Sequence, residues 1–141
     1  MDLFAAAREG HLNQVMSILK QGFDIEMKND KGHSALMIAA YNNQVGVVEY
    51  LITQGADVNS VDLSGNSILM GVVFKGHIHI FDLLVQAGAR LDYTNNKKQS
   101  TLNIAVMFGR RDLIFRINKL QNLNRSTGKV EQIKTWVKQI I

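Results

Sequence analysis

The sequence predicts an all-α solenoid with short β-hairpin loops, about four helix-turn-helix repeats long and followed by a C-terminal capping helix. Three periodic columns predict it. Leucine recurs at Leu3, Leu36, Leu69 and Leu102, 33 residues apart each time. Ser34, Ser67 and Ser100 share that period, as do Gly22, Gly55 and Gly88. A small-residue column, Ala6, Ala39, Val72 and Ala105, moves with them. A fixed interval of this size marks a stack of units, none of which buries its apolar face alone.

Each element follows from local chemistry. The serine that precedes each apolar run offers a hydroxyl to the free N–H groups of a helix start. Leu36, Ala39 and Ala40 then share one helical face, whose alanines admit a neighbouring backbone. Val45, Val48, Leu51 and Ile52 fall at helical spacing and form the buried stripe of a second helix. Gly55 stands just past its end, where a left-handed residue commonly stops a helix. Asp57, Val58 and Asn59 are extended and lead to a hairpin turn at Gly65.

Laid out by its period, the second repeat reads N-D-K-G-H-S-A-L-M-I-A-A-Y-N-N-Q-V-G-V-V-E-Y-L-I-T-Q-G-A-D-V-N-S from Asn29 to Ser60. It resembles the ankyrin repeat, D-x-x-G-x-T-P-L-H-x-A-A followed by x-V-V-x-x-L-L-x-x-G-A-D-V-N. The third copy, from Asp62, keeps Gly65, Ser67, Leu69, Gly76-His77, Leu83-Leu84 and Gly88-Ala89. The first begins at Asp2-Leu3 without a hairpin, and the fourth keeps Ser100, Leu102, Ala105 and Gly109 but loses the L-L-x-x-G-A ending. The boundaries expected are 2–28, 29–61, 62–94 and 95–120 for the repeats, 121–129 for a polar linker and 130–141 for the capping helix.

Two departures from the pattern matter. Ala35, Ile68 and Thr101 stand where the family has proline, and the chain contains none. Met37, Met70 and Asn103 replace the family's histidine, whose imidazole ties neighbouring repeats by hydrogen bonds. Those bonds are therefore not expected here.

Composition narrows the function. At 141 residues and 46% hydrophobic content the chain has one domain's length and enough apolar residues for a continuous core. Without cysteine there is no disulfide, thiolate chemistry or cysteine-based zinc site. No segment has the pattern of a signal peptide or the length of a membrane span, so a cytoplasmic protein is expected. No G-x-x-x-x-G-K-[ST], G-x-S-x-G or H-E-x-x-H occurs. His77 and His79 are two apart, a poor metal pair on a helix. Asp24 and Asp57 occupy equivalent loop positions, which fits turn chemistry better than acid–base work. The expectation is a non-enzyme with no catalytic residue, metal, cofactor or small-molecule substrate.

The resemblance implies a binding surface on the hairpin tips and the exposed side of the first helices. Carried over, it selects Asp30, Lys31 and His33, Leu63 and Asn66, and Lys97 and Gln99 at the tips. On the first helices it selects Arg8, Tyr41, Phe74 and Met107, with Asn42, Lys75 and Phe108 beside them. An apolar, aromatic column of this kind has the composition of an interface hot spot; the alternative is that Met107 or Phe108 folds inward as packing. The partner implied is another protein, docked in a concave groove. An isolated module of this size also resembles small bacterial ankyrin proteins, some of which serve as accessory factors for an enzyme or as immunity proteins that occlude a toxin.

Charge supplies a second reading. Residues 1–109 carry 8 Lys/Arg against 10 Asp/Glu, and residues 110–141 carry 8 against 2. Val130, Ile133, Val137 and Ile140, with Trp136 beside them, form one amphipathic stripe. That segment either caps the stack or docks elsewhere. In the second case Arg110, Arg111, Lys134 and Lys138 are the cations that would meet nucleic acid or a lipid surface.

Overall fold

A computed structural model describes the backbone of residues 2–127 and the side chains of residues 2–123. Eight helices are described: α1 Leu3–Glu9, α2 Leu12–Lys20, α3 Ala35–Tyr41, α4 Val45–Thr53, α5 Ile68–Lys75, α6 Ile78–Gln86, α7 Thr101–Met107 and α8 Arg111–Thr127. They stack in two layers. The inner helices α1, α3, α5 and α7 touch in chain order, and α2, α4 and α6 follow in the outer layer. Isolated antiparallel bridges, Lys28 to Ser34, Val61 to Ser67 and Thr94 to Ser100, close the three hairpin tips. The fold is the all-α helix-turn-helix solenoid that the period predicts.

The starts of the inner helices are set by the serine column. Ser34 and Ser67 each accept from the N–H three residues on, of Met37 and Met70, at 3.2 Å. Ser100 accepts from Asn103 at 3.0 Å, and the Asn103 side chain accepts from the Ser100 N–H, closing a capping box. Ser34 and Ser67 are buried, where an unsatisfied N–H would be costly. After the outer helices Gly55, with φ of 85°, adopts the left-handed conformation, and an added Cβ there would meet nothing. Backbone sterics alone demand glycine at that position.

The core runs unbroken through the stack. Ala6, Ala39, Val72 and Ala105 are fully buried, so the inner helices approach over small side chains. Met37 and Met70 fill the positions of the family's histidine and are buried as well. The repeats are tied instead by a different column, at the start of the outer helices. Gln44 donates to the Arg8 carbonyl at 2.9 Å, and Arg110 donates to the Phe74 carbonyl at 2.6 Å. Between them the His77 ring Nε2 lies 3.1 Å from the Tyr41 carbonyl. Each link spans 36 residues, from one repeat back to the exposed end of the preceding inner helix.

One boundary is corrected. The predicted linker at 121–129 is helical as far as Thr127, because α8 continues through it. Leu113, Ile117 and Leu120 are buried at i, i+4 and i+7, and neither glycine nor proline occurs between Gly109 and Gly128. The predicted capping helix at 130–141 lies outside the described residues.

A part-buried contact between Asp82 of α6 and Arg116 of α8 joins the third and fourth repeats. The Arg116 Nε donates to both Asp82 carboxylate oxygens, at 3.1 and 3.3 Å. One nitrogen shared between two oxygens lacks the paired geometry of a guanidinium fork. Burial accordingly holds the Asp82 carboxyl above its ordinary range, against the opposing pull of Arg116 and, more weakly, His79. A carboxyl with a raised native pKa favours the fold fully when protonated, and that contribution is lost as pH rises through the native value. Asp82→Asn, which keeps the shape and cannot ionise, is therefore expected to gain stability on the wild type as pH rises upward from the ordinary carboxylate range. Urea unfolding of both chains across that range checks it, and a difference flat with pH would refute the assignment.

Candidate functional site

The hairpin tips are built alike, around an amide or carboxylate that folds back on its own turn. Asn29 Oδ1 accepts from the Lys31 and His33 N–H groups, Asp62 Oδ1 from Ser64 and Asn66, and Asn95 Oδ1 from Lys97 and Gln99. Consecutive tips are then bonded to one another. Leu63 N–H donates to the Lys31 carbonyl at 3.3 Å and Asn96 N–H to the Ser64 carbonyl at 3.0 Å. This contact explains two glycines. A Cβ at Gly32 would meet the Leu63 backbone nitrogen at 2.9 Å, and one at Gly65 would meet the Asn96 backbone nitrogen at 3.1 Å. At the third tip Lys98 takes the same left-handed conformation with φ of 61°, in the position where the first two have glycine.

Between the tips and the inner helices of the second, third and fourth repeats lies an open groove of about 570 Å³. Tyr41, Met70, Gly71 and Ile104 are among its lining, with Phe74 and Phe108 alongside. The two phenylalanine rings meet edge to face at 4.7 Å, and they remain 45% and 43% exposed. Two aromatic side chains left this open in one groove form an exposed apolar patch. The tips contribute Asp62, Leu63, Asn66, Lys97 and Gln99 to the same groove.

A family profile described as ankyrin repeats, three copies, matches residues 3–95 and 47–117. The chain belongs to the ankyrin-repeat family. Among curated proteins, none matches it. Ankyrin repeats are generally protein–protein interaction modules, a non-enzymatic type of binding unit. No helix among the described residues is long and apolar enough to cross a membrane.

Of the residues selected from the sequence, the ankyrin groove brings together Tyr41, Leu63, Asn66, Phe74, Lys75, Lys97, Gln99 and Phe108. His33 stands at its edge, 3.5 Å from the Asp62 carboxylate and edge-on to the Tyr41 ring at 5.6 Å. Arg8, Asp30 and Lys31 are exposed outside the groove. Asn42 is turned to its own helix, donating to the Ile38 carbonyl at 2.7 Å. Met107 and Phe108 do not fold inward; Met107 is 56% exposed but outside the groove lining. Of the basic set, Arg111 is exposed, whereas Arg110 is drawn into the link to Phe74. Lys134 and Lys138 lie outside the described residues.

The sequence reading passed over Gly71, and it changes the part played by Tyr41. The column Ala5, Ile38, Gly71 and Ile104 loses its side chain at Gly71, and the Tyr41 ring lies across the gap, so that an added Cβ would collide with the ring. Tyr41 is thus half-buried, packed over Gly71 at the floor of the groove it lines. Burial, with the Asp62 carboxylate nearby, holds its hydroxyl protonated beyond the ordinary phenol range. The interrupted column was the available signal.

Gly71→Ala is expected to destabilise the protein by about 2 kcal/mol through overpacking against the ring. In a Tyr41→Ala background the same change should stabilise by about 0.5–1 kcal/mol, since alanine is the better helix residue. Urea midpoints of the four chains read this reversal of sign, and equal effects in both backgrounds would show that the ring does not depend on the gap.

Proposed function

We propose that this protein binds a partner protein through the groove of its second to fourth repeats, the partner's surface being recognised by a preformed array. The observation that carries this reading is the Phe74–Phe108 pair, exposed and edge-to-face on the concave side, framed by tips that hydrogen-bond to one another. Bonded tips and capped helices leave little to be ordered on docking, which lowers the entropy that opposes it. Chemistry of this kind suits an accessory or immunity-type role, in which occupying the partner's surface is the whole activity. The competing reading is an adaptor for an anionic surface through the basic end; the Arg110 bond to the Phe74 carbonyl supports the groove reading over it.

Affinity capture with the full chain, compared with a Phe74→Ala/Phe108→Ala chain, tests the groove. Both side chains are exposed, so the fold should survive their loss. A stoichiometric protein that is retained in high salt and lost from the double variant is expected, because truncating paired aromatic anchors typically costs about 2 kcal/mol or more each. Retention of only nucleic acid or lipid, released by salt from both chains, would move the function to the basic end.

A further inference from the structure

The polar groups of the groove specify the partner further. We propose that it docks an acidic segment of the partner polypeptide, with a bulky apolar side chain against Phe74 and Phe108 and carboxylates meeting Lys75 and Lys97. This deepens the groove reading and rests on it.

The charged groups lining the groove are Asp62, Lys75 and Lys97. Asp62 is engaged by its own fold. One carboxylate oxygen accepts the Ser64 and Asn66 N–H groups at 2.9 Å, and the other faces His33 at 3.5 Å. The Asn95 and Asn96 amides are similarly occupied. Asn95 donates to both the Asn66 and Gln99 side-chain oxygens, at 2.8 and 2.9 Å, while Asn96 donates to the Leu63 carbonyl at 3.2 Å.

The two lysines differ. Among the described residues no carboxylate lies within ion-pair distance of either. Lys75 holds its ammonium 6.0 Å from the centre of the Phe74 ring, over the apolar wall. Lys97 lines the same groove from the third hairpin tip, beside Lys98. The groove therefore presents apolar rings together with two unmatched cations, with its lone carboxylate already committed. An anionic segment is complementary to that arrangement, and a basic one would face two like charges. Apolar contact supplies the anchor; the lysines decide which sequences are admitted.

The test is selection of a displayed library of random dodecapeptides on the full-length chain at low salt, followed by binding of the enriched peptides as fluorescein-labelled synthetics. The expected consensus pairs Asp or Glu with a neighbouring Phe, Trp or Leu. Such peptides should lose at least about tenfold in affinity on Lys75→Glu/Lys97→Glu and on Phe74→Ala. Replacing their acids with lysine should restore binding to the Lys75→Glu/Lys97→Glu chain and not to the wild type. Both lysines are exposed, and an unchanged thermal melt confirms that the variant is folded. A neutral or basic consensus that still depends on Phe74 would overturn the acidic assignment and leave the groove reading standing. Peptides indifferent to all three substitutions would overturn both. No enrichment at all would overturn the proposal that a linear segment is recognised.

Discussion

Everything in this molecule depends on the close approach of the inner helices over Ala6, Ala39, Val72 and Ala105. These four positions are fully buried, and no single repeat has enough apolar surface of its own to bury them. Small side chains bring the backbones near enough for the larger neighbours, Leu36, Met37, Leu69 and Met70 among them, to interlock across the interface. With the inner helices held at that distance, the tips come within hydrogen-bonding range of one another. The Leu63 to Lys31 and Asn96 to Ser64 bonds are consequences of the helix packing as much as of the tip sequences.

The same approach explains how a repeat lacking the family's histidine remains tied to its neighbours. Methionine in that place exchanges a polar link for apolar packing, and the link is made elsewhere. Gln44, His77 and Arg110, three different side chains, meet the carbonyl at the end of the preceding inner helix. What these side chains share is reach and a nitrogen at one geometric station, so sequence similarity within the column is slight. Each carbonyl so engaged belongs to Arg8, Tyr41 or Phe74, the column that faces the concave side. The ladder that secures the stack therefore also fixes the backbone of that column.

Where the repeats differ, the groove acquires its character. Gly71 interrupts a column of larger residues, and the Tyr41 ring occupies the place they would have filled. Lys98 adopts a backbone conformation that favours glycine; the next-tip contacts that exclude a Cβ at Gly32 and Gly65 have no described counterpart there. An exposed cation thus stands on the tip next to Lys97, at the expense of some backbone strain. Gly71 lies in the groove lining and Lys98 outside it, beside Lys97.

The sequence by itself determined the period, the helix pairs, the serine caps, the glycine stops and the alanine seam. All of these are local or repeated signals, and repetition in register makes each copy evidence for the others. It also placed Phe74, Phe108, Lys75 and Lys97 in one neighbourhood, because equivalent positions in a solenoid line up. Only the tertiary structure decided that Tyr41 is floor and that Asn42 serves its own helix. It likewise decided that Arg110 belongs to a link and that α8 runs on to Thr127. The physical reason is one of range. Periodicity reports which face of an element a residue occupies, whereas burial and hydrogen-bond partners depend on what the neighbouring repeat supplies at that face, and a single absent side chain such as that of Gly71 is enough to reassign them.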